Sequence, residues 1–342
     1  MKQWPGYEHG INFGGWLSQC DHTISHYDSF IQSEDFQKVK EWGLDHIRVP
    51  VDYDLIMDNG GIFLERGFSY IDFAIEECRK NGLNMILDLH RTPGFSFDPA
   101  VHENGFFESE FYQDMFYRIW DRFAERYADC ADFLAFELLN EVTAKEYCET
   151  WNRISTTCIE RIRRVAPDIP ILVGGYYNNS VEAVRDLAMP HDEHIIYNFH
   201  CYEPLIFTHQ GAHWIPSMDT SFRMPFDATY GTYADNAQTQ LGNRPEELTV
   251  DDPEKKLGIE YFEQYMEEAV RVAKERNVAL YCGEYGVINL ASPEDSLKWY
   301  EAIGSCFEKY KIGRAAWSYK EMDFGIVDAH MDSVRDRILK LL

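Results

Sequence analysis

The sequence predicts a closed (β/α)8 barrel, an α/β fold of one domain, on three observations. Short β-like runs alternate with amphipathic helical segments, the pattern of a parallel sheet joined by helical crossovers. Most of the runs are apolar throughout, as strands covered on both faces must be. Eight of them can be counted in the 342 residues, and a barrel of about 250 residues or more suits that number and size better than a doubly wound sheet.

The expected strands, in order, are His9–Gly14, Asp45–Pro50, Asn84–His90, Leu134–Glu141, Ile169–Gly174, Ile195–Tyr202, Val278–Glu284 and Gly313–Tyr319. Helical patterns lie between them at Ser69–Asn81, Ser109–Ala128, Tyr147–Val165, Glu260–Asn277 and Pro293–Lys311, with a last one at Ser333–Leu342. Asn81-Gly82 stops the first of these helices. Ser292-Pro293-Glu294-Asp295 starts another with a cap, a proline at the first helical position and acidic residues in the first turn. The interval from Tyr202 to Val278 breaks the rhythm. Its end can be the sixth helix, which leaves 203–258, rich in prolines and aromatics, as a small subdomain inserted after strand six. Loops at that end of a barrel surround the active site, so the insert is expected to line the cleft, a solvent-facing decoration being the alternative. The whole of 1–342 then reads as one catalytic barrel.

Composition narrows the function. Fifty-eight Asp and Glu against 32 Lys and Arg leave a net charge of -26, which argues against nucleic acid and anionic membrane as partners. Aromatic residues make up 15% of the chain. Their flat, CH-rich faces suit sugars, although most must serve the core. The eight cysteines contain no C-x-x-C pair, so free thiols are expected, which favours a reduced cytoplasm. The first residues lack the apolar core of a signal peptide, and the expected location is cytoplasmic, or secreted with the signal removed. No apolar run approaches the ~18 residues of a membrane span.

Polar residues at the C-terminal ends of barrel strands face a common site. The runs end on Arg48, on Asp88-Leu89-His90, on Asn140-Glu141, on Asn198-Phe199-His200-Cys201-Tyr202, on Glu284 and on Trp317. Glu141 and Glu284 each follow a stretch of apolar residues and so do not belong to a solvated face. Glycosidic bond cleavage needs one carboxylic acid to protonate the leaving oxygen and a second carboxylate on the opposite face. Strands four and seven lie across the barrel mouth from each other, so Glu141 and Glu284 can supply both, the second either to attack carbon or to activate water.

Asn140-Glu141, Arg48, His90, His200-x-Tyr202, Glu284 and Trp317, with the opening Gly10-Ile11-Asn12-Phe13-Gly14-Gly15-Trp16, resemble the family 5 glycoside hydrolases, above all their cellulase-like members. The resemblance spans essentially the whole chain. It implies a retaining endo-β-1,4-glucanase with Glu141 as general acid and then base, and Glu284 as the nucleophile that forms a covalent glycosyl-enzyme. It further implies that Arg48 and the Tyr202 hydroxyl keep Glu284 ionised, that Asn140 bonds the sugar 2-hydroxyl, that His90 and His200 position substrate hydroxyls and Glu141, and that Trp317 underlies the sugar whose bond is broken. Arg91, where many members carry a histidine or an aromatic, departs from the pattern.

Rival readings share these residues. β-Mannan or mixed-linkage glucan differs from β-1,4-glucan by one or two cleft contacts, an exo-acting β-glucosidase by a closed pocket, and a non-catalytic carbohydrate-binding barrel by the loss of chemistry. A metal-dependent hydrolase would need ligands. His22-x-x-x-His26 and His209-x-x-x-His213 have i,i+4 spacing and His90 with His200 could share a site, but H-E-x-x-H is absent, as is G-x-S-x-G. No metal or other cofactor is expected, and the partner is a β-linked polysaccharide or oligosaccharide met by a monomer. Trp16, Trp214, Phe207, Tyr176 and Tyr177 stand in loops where they could stack sugars.

Overall fold

Strand burial sets the architecture. β2 (His46–Asp52), β4 (Leu134–Glu137), β6 (Ile195–His200) and β7 (Ala279–Tyr285) are buried at every position, and β3 (Asn84–Arg91) at all but its first. Strands without a solvent face need cover on both sides, which a closed barrel with an outer helical ring provides. In the computed structural model, which describes residues 1–342, β1 (His9–Asn12) to β5 (Ile171–Val173) and on to β8 (Gly313–Ala316) follow one another around the ring. Every pair is parallel, and β8 returns to β1 through Gly10↔Ala315.

The outer ring is built from helices Ser33–Glu41, Glu65–Asn81, Glu110–Tyr127, Cys148–Arg163, Ile259–Glu275 and Pro293–Tyr310. The end signals operate as expected: Gly82 closes one helix in the left-handed region at φ 63°, and the Ser292 hydroxyl accepts the Asp295 N–H at the start of another. Among the departures from the sequence reading, three concern the outer ring. Ser33–Glu41 was not foreseen, because it buries only Phe36 and Val39 and shows little apolar stripe. The β5-to-β6 crossover uses a 3-10 segment, Val181–Asp186, in place of an α-helix. At the C-terminus only Arg335–Ile338 of the expected 333–342 is α-helical. Within 203–258 the chain forms the short helices Leu205–Thr208 and Tyr230–Gln240 and a 3-10 turn, Glu246–Leu248.

Inside the ring, Tyr7, Ile86, Ala135, Leu172, Ile196, Ala279, Tyr281 and Ala315 form a separate apolar plug. Trp4 stacks on Tyr7 at 3.8 Å, and the Tyr281 hydroxyl meets His46 Nε2 at 2.7 Å. The larger core lies between strands and helices. Above the plug the interior turns polar, with Asn12, Arg48, Asp88, Glu137 and Asn198 all buried. All eight cysteines are unpaired, and no helix is long and apolar enough to cross a membrane.

Candidate active site

Arg48, fully buried on β2, organises the polar layer. Its Nε and Nη2 donate to Glu137 at 2.7 and 2.9 Å, while Nη1 donates to Asn12 Oδ1 at 2.9 Å and Glu284 Oε1 at 2.8 Å. Nη2 also reaches Asn140 Oδ1 at 2.9 Å and Asp88 Oδ2 at 3.0 Å. Burial opposes its charge, but Asp88, Glu137 and Glu284 outweigh that and keep it protonated. One cation thus serves three carboxylates. Burial raises Glu137 above the usual carboxyl range and pushes Asp88 up to about 7, in each case against the pull of Arg48.

The Asp88 shift has a consequence for stability. Its folded pKa lies above the ordinary 3.8, so Asp88 favours folding fully below about pH 4, and that contribution is lost as pH rises through about 7. Asp88→Asn is expected to flatten this fall, measured as urea midpoints between about pH 4 and about pH 8. Parallel profiles for the two proteins would contradict it.

The backbone delivers Asn140 and Glu141 beyond the end of β4. Sequence reading carried that strand to Glu141, but the ladder stops at Glu137. Leu138 N–H and Asn140 N–H still reach the carbonyls of Leu172 at 3.2 Å and Leu89 at 3.1 Å, so the segment stays anchored to both neighbouring strands. On β7 the register slips: Phe199 pairs with Cys282 and His200 with Glu284, leaving Gly283 as an extra residue that turns Glu284 inward. Gly283 N–H goes instead to Asn198 Oδ1 at 2.9 Å. A Cβ on Gly283 would stand 2.8 Å from that same oxygen, so only glycine permits the approach.

The two glutamates face each other with every oxygen occupied. Glu284 accepts from Arg48 on Oε1 and from the Tyr202 hydroxyl on Oε2 at 2.9 Å. Glu141 accepts from His200 Nδ1 on Oε1 and from Asn178 Nδ2 on Oε2, both at 2.8 Å. One oxygen of each carboxylate and a ring nitrogen of His200 lie within 4.8 Å of one another. Burial lifts the Glu141 pKa above the ordinary carboxyl range, with the Asn178 bond, His90 and Arg48 opposing. Burial also depresses His200 to about 4, so its ring is neutral at neutral pH. His90 Nδ1 meets Asp88 Oδ2 at 2.6 Å, and its ring lies parallel to Trp317, 3° between planes and 6.0 Å between centroids.

All of Arg48, His90, Asn140, Glu141, His200, Tyr202, Glu284 and Trp317 therefore share one end of the barrel. The loop aromatics divide: Trp16, Phe207 and Tyr176 are core, whereas Tyr177 and Trp214 are exposed. Arg91 is a clasp between loops, with Nε 2.9 Å from Asp52, Nη2 2.9 Å from Asp54 and Nη1 3.3 Å from Glu103. The i,i+4 histidine pairs lack a common helix, because His22 precedes Ile24–Ser29 and His209 follows Leu205–Thr208. Two groups have cation-ligand spacing, Glu141-His200-Glu284 and His22-Asp52-Asp54. In the second, the Arg91 guanidinium already pairs with both aspartates.

Sequence reading assigned no role to Asn12, Asp88, Glu137, Asn178, Asn179 or Asn198. A signal existed for two of them. Asp88 and Asn198 stand two residues before His90 and His200, on the same strand face, so inward-pointing site residues imply inward-pointing neighbours.

Comparison with known proteins identifies the family. The family model "Cellulase (glycosyl hydrolase family 5)" matches residues 3–323. Cellodextrinase A of Ruminococcus flavefaciens is 43% identical over 92% of this chain and 86% of its own. Endoglucanase C of Acetivibrio thermocellus is 36% identical over 98% of both. Among solved structures, the clostridial cellulose synthase subunit Z of Clostridioides difficile superposes with a TM-score of 0.78 at 24% identity, covering 98% of this chain and 99% of that one, a likeness of fold. With a family match over nearly its whole length and a paired-glutamate barrel mouth, the chain belongs to glycosyl hydrolase family 5, the cellulases, and is a glycoside hydrolase.

Proposed function

We propose that this enzyme cleaves β-1,4-linked glucan and its oligosaccharides with retention of configuration, Glu141 serving as general acid and then base and Glu284 as nucleophile. The observation that carries the reading is the approach of the two carboxylates to within 4.8 Å. Retaining enzymes hold their pair at about 5–5.5 Å, whereas inverting ones leave ~6.5–9.5 Å for a water. The environments differ as the roles demand. Glu141, raised by burial, holds a proton for the leaving oxygen. Glu284 receives a guanidinium N–H on one oxygen and a phenol O–H on the other, which fix its carboxylate for attack on the anomeric carbon.

Attack by Glu284 expels the leaving sugar as Glu141 gives up its proton. Water, deprotonated by Glu141, then releases the second sugar from Glu284 with the original anomeric configuration. Asn140, held by Arg48, is placed for the 2-hydroxyl, and Trp317 with the parallel His90 ring forms a wall for the sugar face. The substrate class rests on the related cellodextrinase and endoglucanase. The 203–258 insert lines the cleft in this reading, supported by a chain of ring contacts from Tyr202 to His209 at 5.2 Å and from His209 to exposed Trp214 at 5.9 Å.

NMR of freshly cleaved cello-oligosaccharide is expected to show the β-anomer first; the α-anomer first would refute double displacement. Glu141→Ala should cut turnover of cellotetraose by about 10²–10⁴-fold. The same variant should spare the first step with 2,4-dinitrophenyl β-cellobioside, whose leaving group needs no proton, and azide should rescue it as the β-glycosyl azide.

A further inference from the structure

Three consecutive residues after β5, Tyr177, Asn178 and Asn179, have left-handed backbones, with φ of 50°, 59° and 56°. None is glycine. A single left-handed asparagine is common, but three such residues in a row, one of them aromatic, oppose the sterics of L-residues and persist only where surrounding contacts hold them.

Three contacts of Asn178 and Asn179 lead to the acid/base side of the cleft. Asn178 N–H donates to the carbonyl of Val142, next after Glu141, at 2.9 Å, and Asn178 Nδ2 donates to Glu141 Oε2 at 2.8 Å. The buried Asn179 places Nδ2 3.4 Å from His200 Nε2, the ring whose Nδ1 faces the other oxygen of Glu141. That neighbour makes Nε2 the acceptor and leaves the hydrogen on Nδ1. The approach depends on Gly174, where a Cβ would fall 2.2 Å from Asn179 Oδ1. Both oxygens of Glu141 are thus fixed by one strained turn, directly through Asn178 and indirectly through Asn179 and His200.

We propose that Asn178 is a positioning residue for the acid/base: it holds Glu141 Oε2 and stabilises the carboxylate that forms as the proton passes to the leaving oxygen. The inference rests on Glu141 having that role. A donor aimed at the oxygen where charge develops contributes most when proton transfer is advanced, hence for poor leaving groups.

The test uses Asn178→Gly, because glycine accepts φ 59° and the substitution removes only the side chain. Turnover of cellotetraose should fall about tenfold. The first step with 2,4-dinitrophenyl β-cellobioside should stay within about twofold of the parent. The alkaline limb of kcat/KM should move to higher pH, since the lost bond favoured the ionised form. Asn178→Asp, which also tolerates this backbone, should move that limb further the same way by placing a second carboxylate beside Glu141. Unchanged turnover and pH limb in Asn178→Gly, or equal losses on both substrates, would overturn the inference. Failure of the reading beneath it looks different: Glu141→Ala would then keep its activity on cellotetraose, whatever the Asn178 variants do.

Discussion

Glu284→Ala is expected to lower turnover of cello-oligosaccharides on the order of 10⁴-fold or more, because under the proposed double displacement it removes the nucleophile. Its position at the slipped β7 register places it between two donors, Arg48 and Tyr202, and under the site that a sugar must occupy. Removing the side chain opens room for a small anion on the same face. With an activated aryl cellobioside, azide should therefore attack once and give the α-glycosyl azide, the opposite anomer from that expected with Glu141→Ala. The two products separate the two roles without reference to rate. A β-azide from Glu284→Ala would reverse the assignment.

Arg48→Met is expected to destabilise the fold by about 3–5 kcal/mol at neutral pH, the usual cost of stranding buried charge. The guanidinium faces Asp88, Glu137 and Glu284, and without it all three sit in the barrel with no cation. Without that pull the folded pKa values of Asp88 and Glu137 must rise further, so the loss vanishes below the unfolded carboxyl range near pH 4 and grows as pH increases. Urea unfolding at about pH 4 and about pH 7 checks both sign and trend, and a loss independent of pH would contradict the argument. Lysine should not substitute. Its ammonium has three donors on a flexible stem, too few for the set that the planar fork satisfies on Asn12, Glu137, Glu284 and Asn140.

The barrel was legible because its strands are buried along nearly their whole length and carry apolar stretches, Met85–Leu87 in β3 and Ala279–Cys282 in β7 most plainly. Strand ends were less so. The ladder on β4 stops at Glu137 and the chain bends at Asn140 before Glu141, since pairing depends on where neighbouring β5, only Ile171–Val173, gives out. Helix Ser33–Glu41 escaped because two buried side chains leave no readable stripe, and its Gln32–Asp35 capping box is a less familiar pair than Ser with Glu. Within the site, residues at strand ends could be read from chain order and closure. Asn178 could not: it lies on a loop, and neither its spacing nor its chemistry differs from an ordinary turn asparagine until the left-handed backbone is seen.

The sharing of one guanidinium among so many partners bears on how this enzyme can evolve or be engineered. Asn12 on β1, Asp88 on β3, Glu137 on β4 and Glu284 on β7 all lean on Arg48, so a change at one alters the electrostatic work the others do. Effects of substitution there will be strongly epistatic, not additive. Adaptive change on the barrel floor must arrive in concerted sets, whereas the exposed rim around Trp214 can drift one residue at a time.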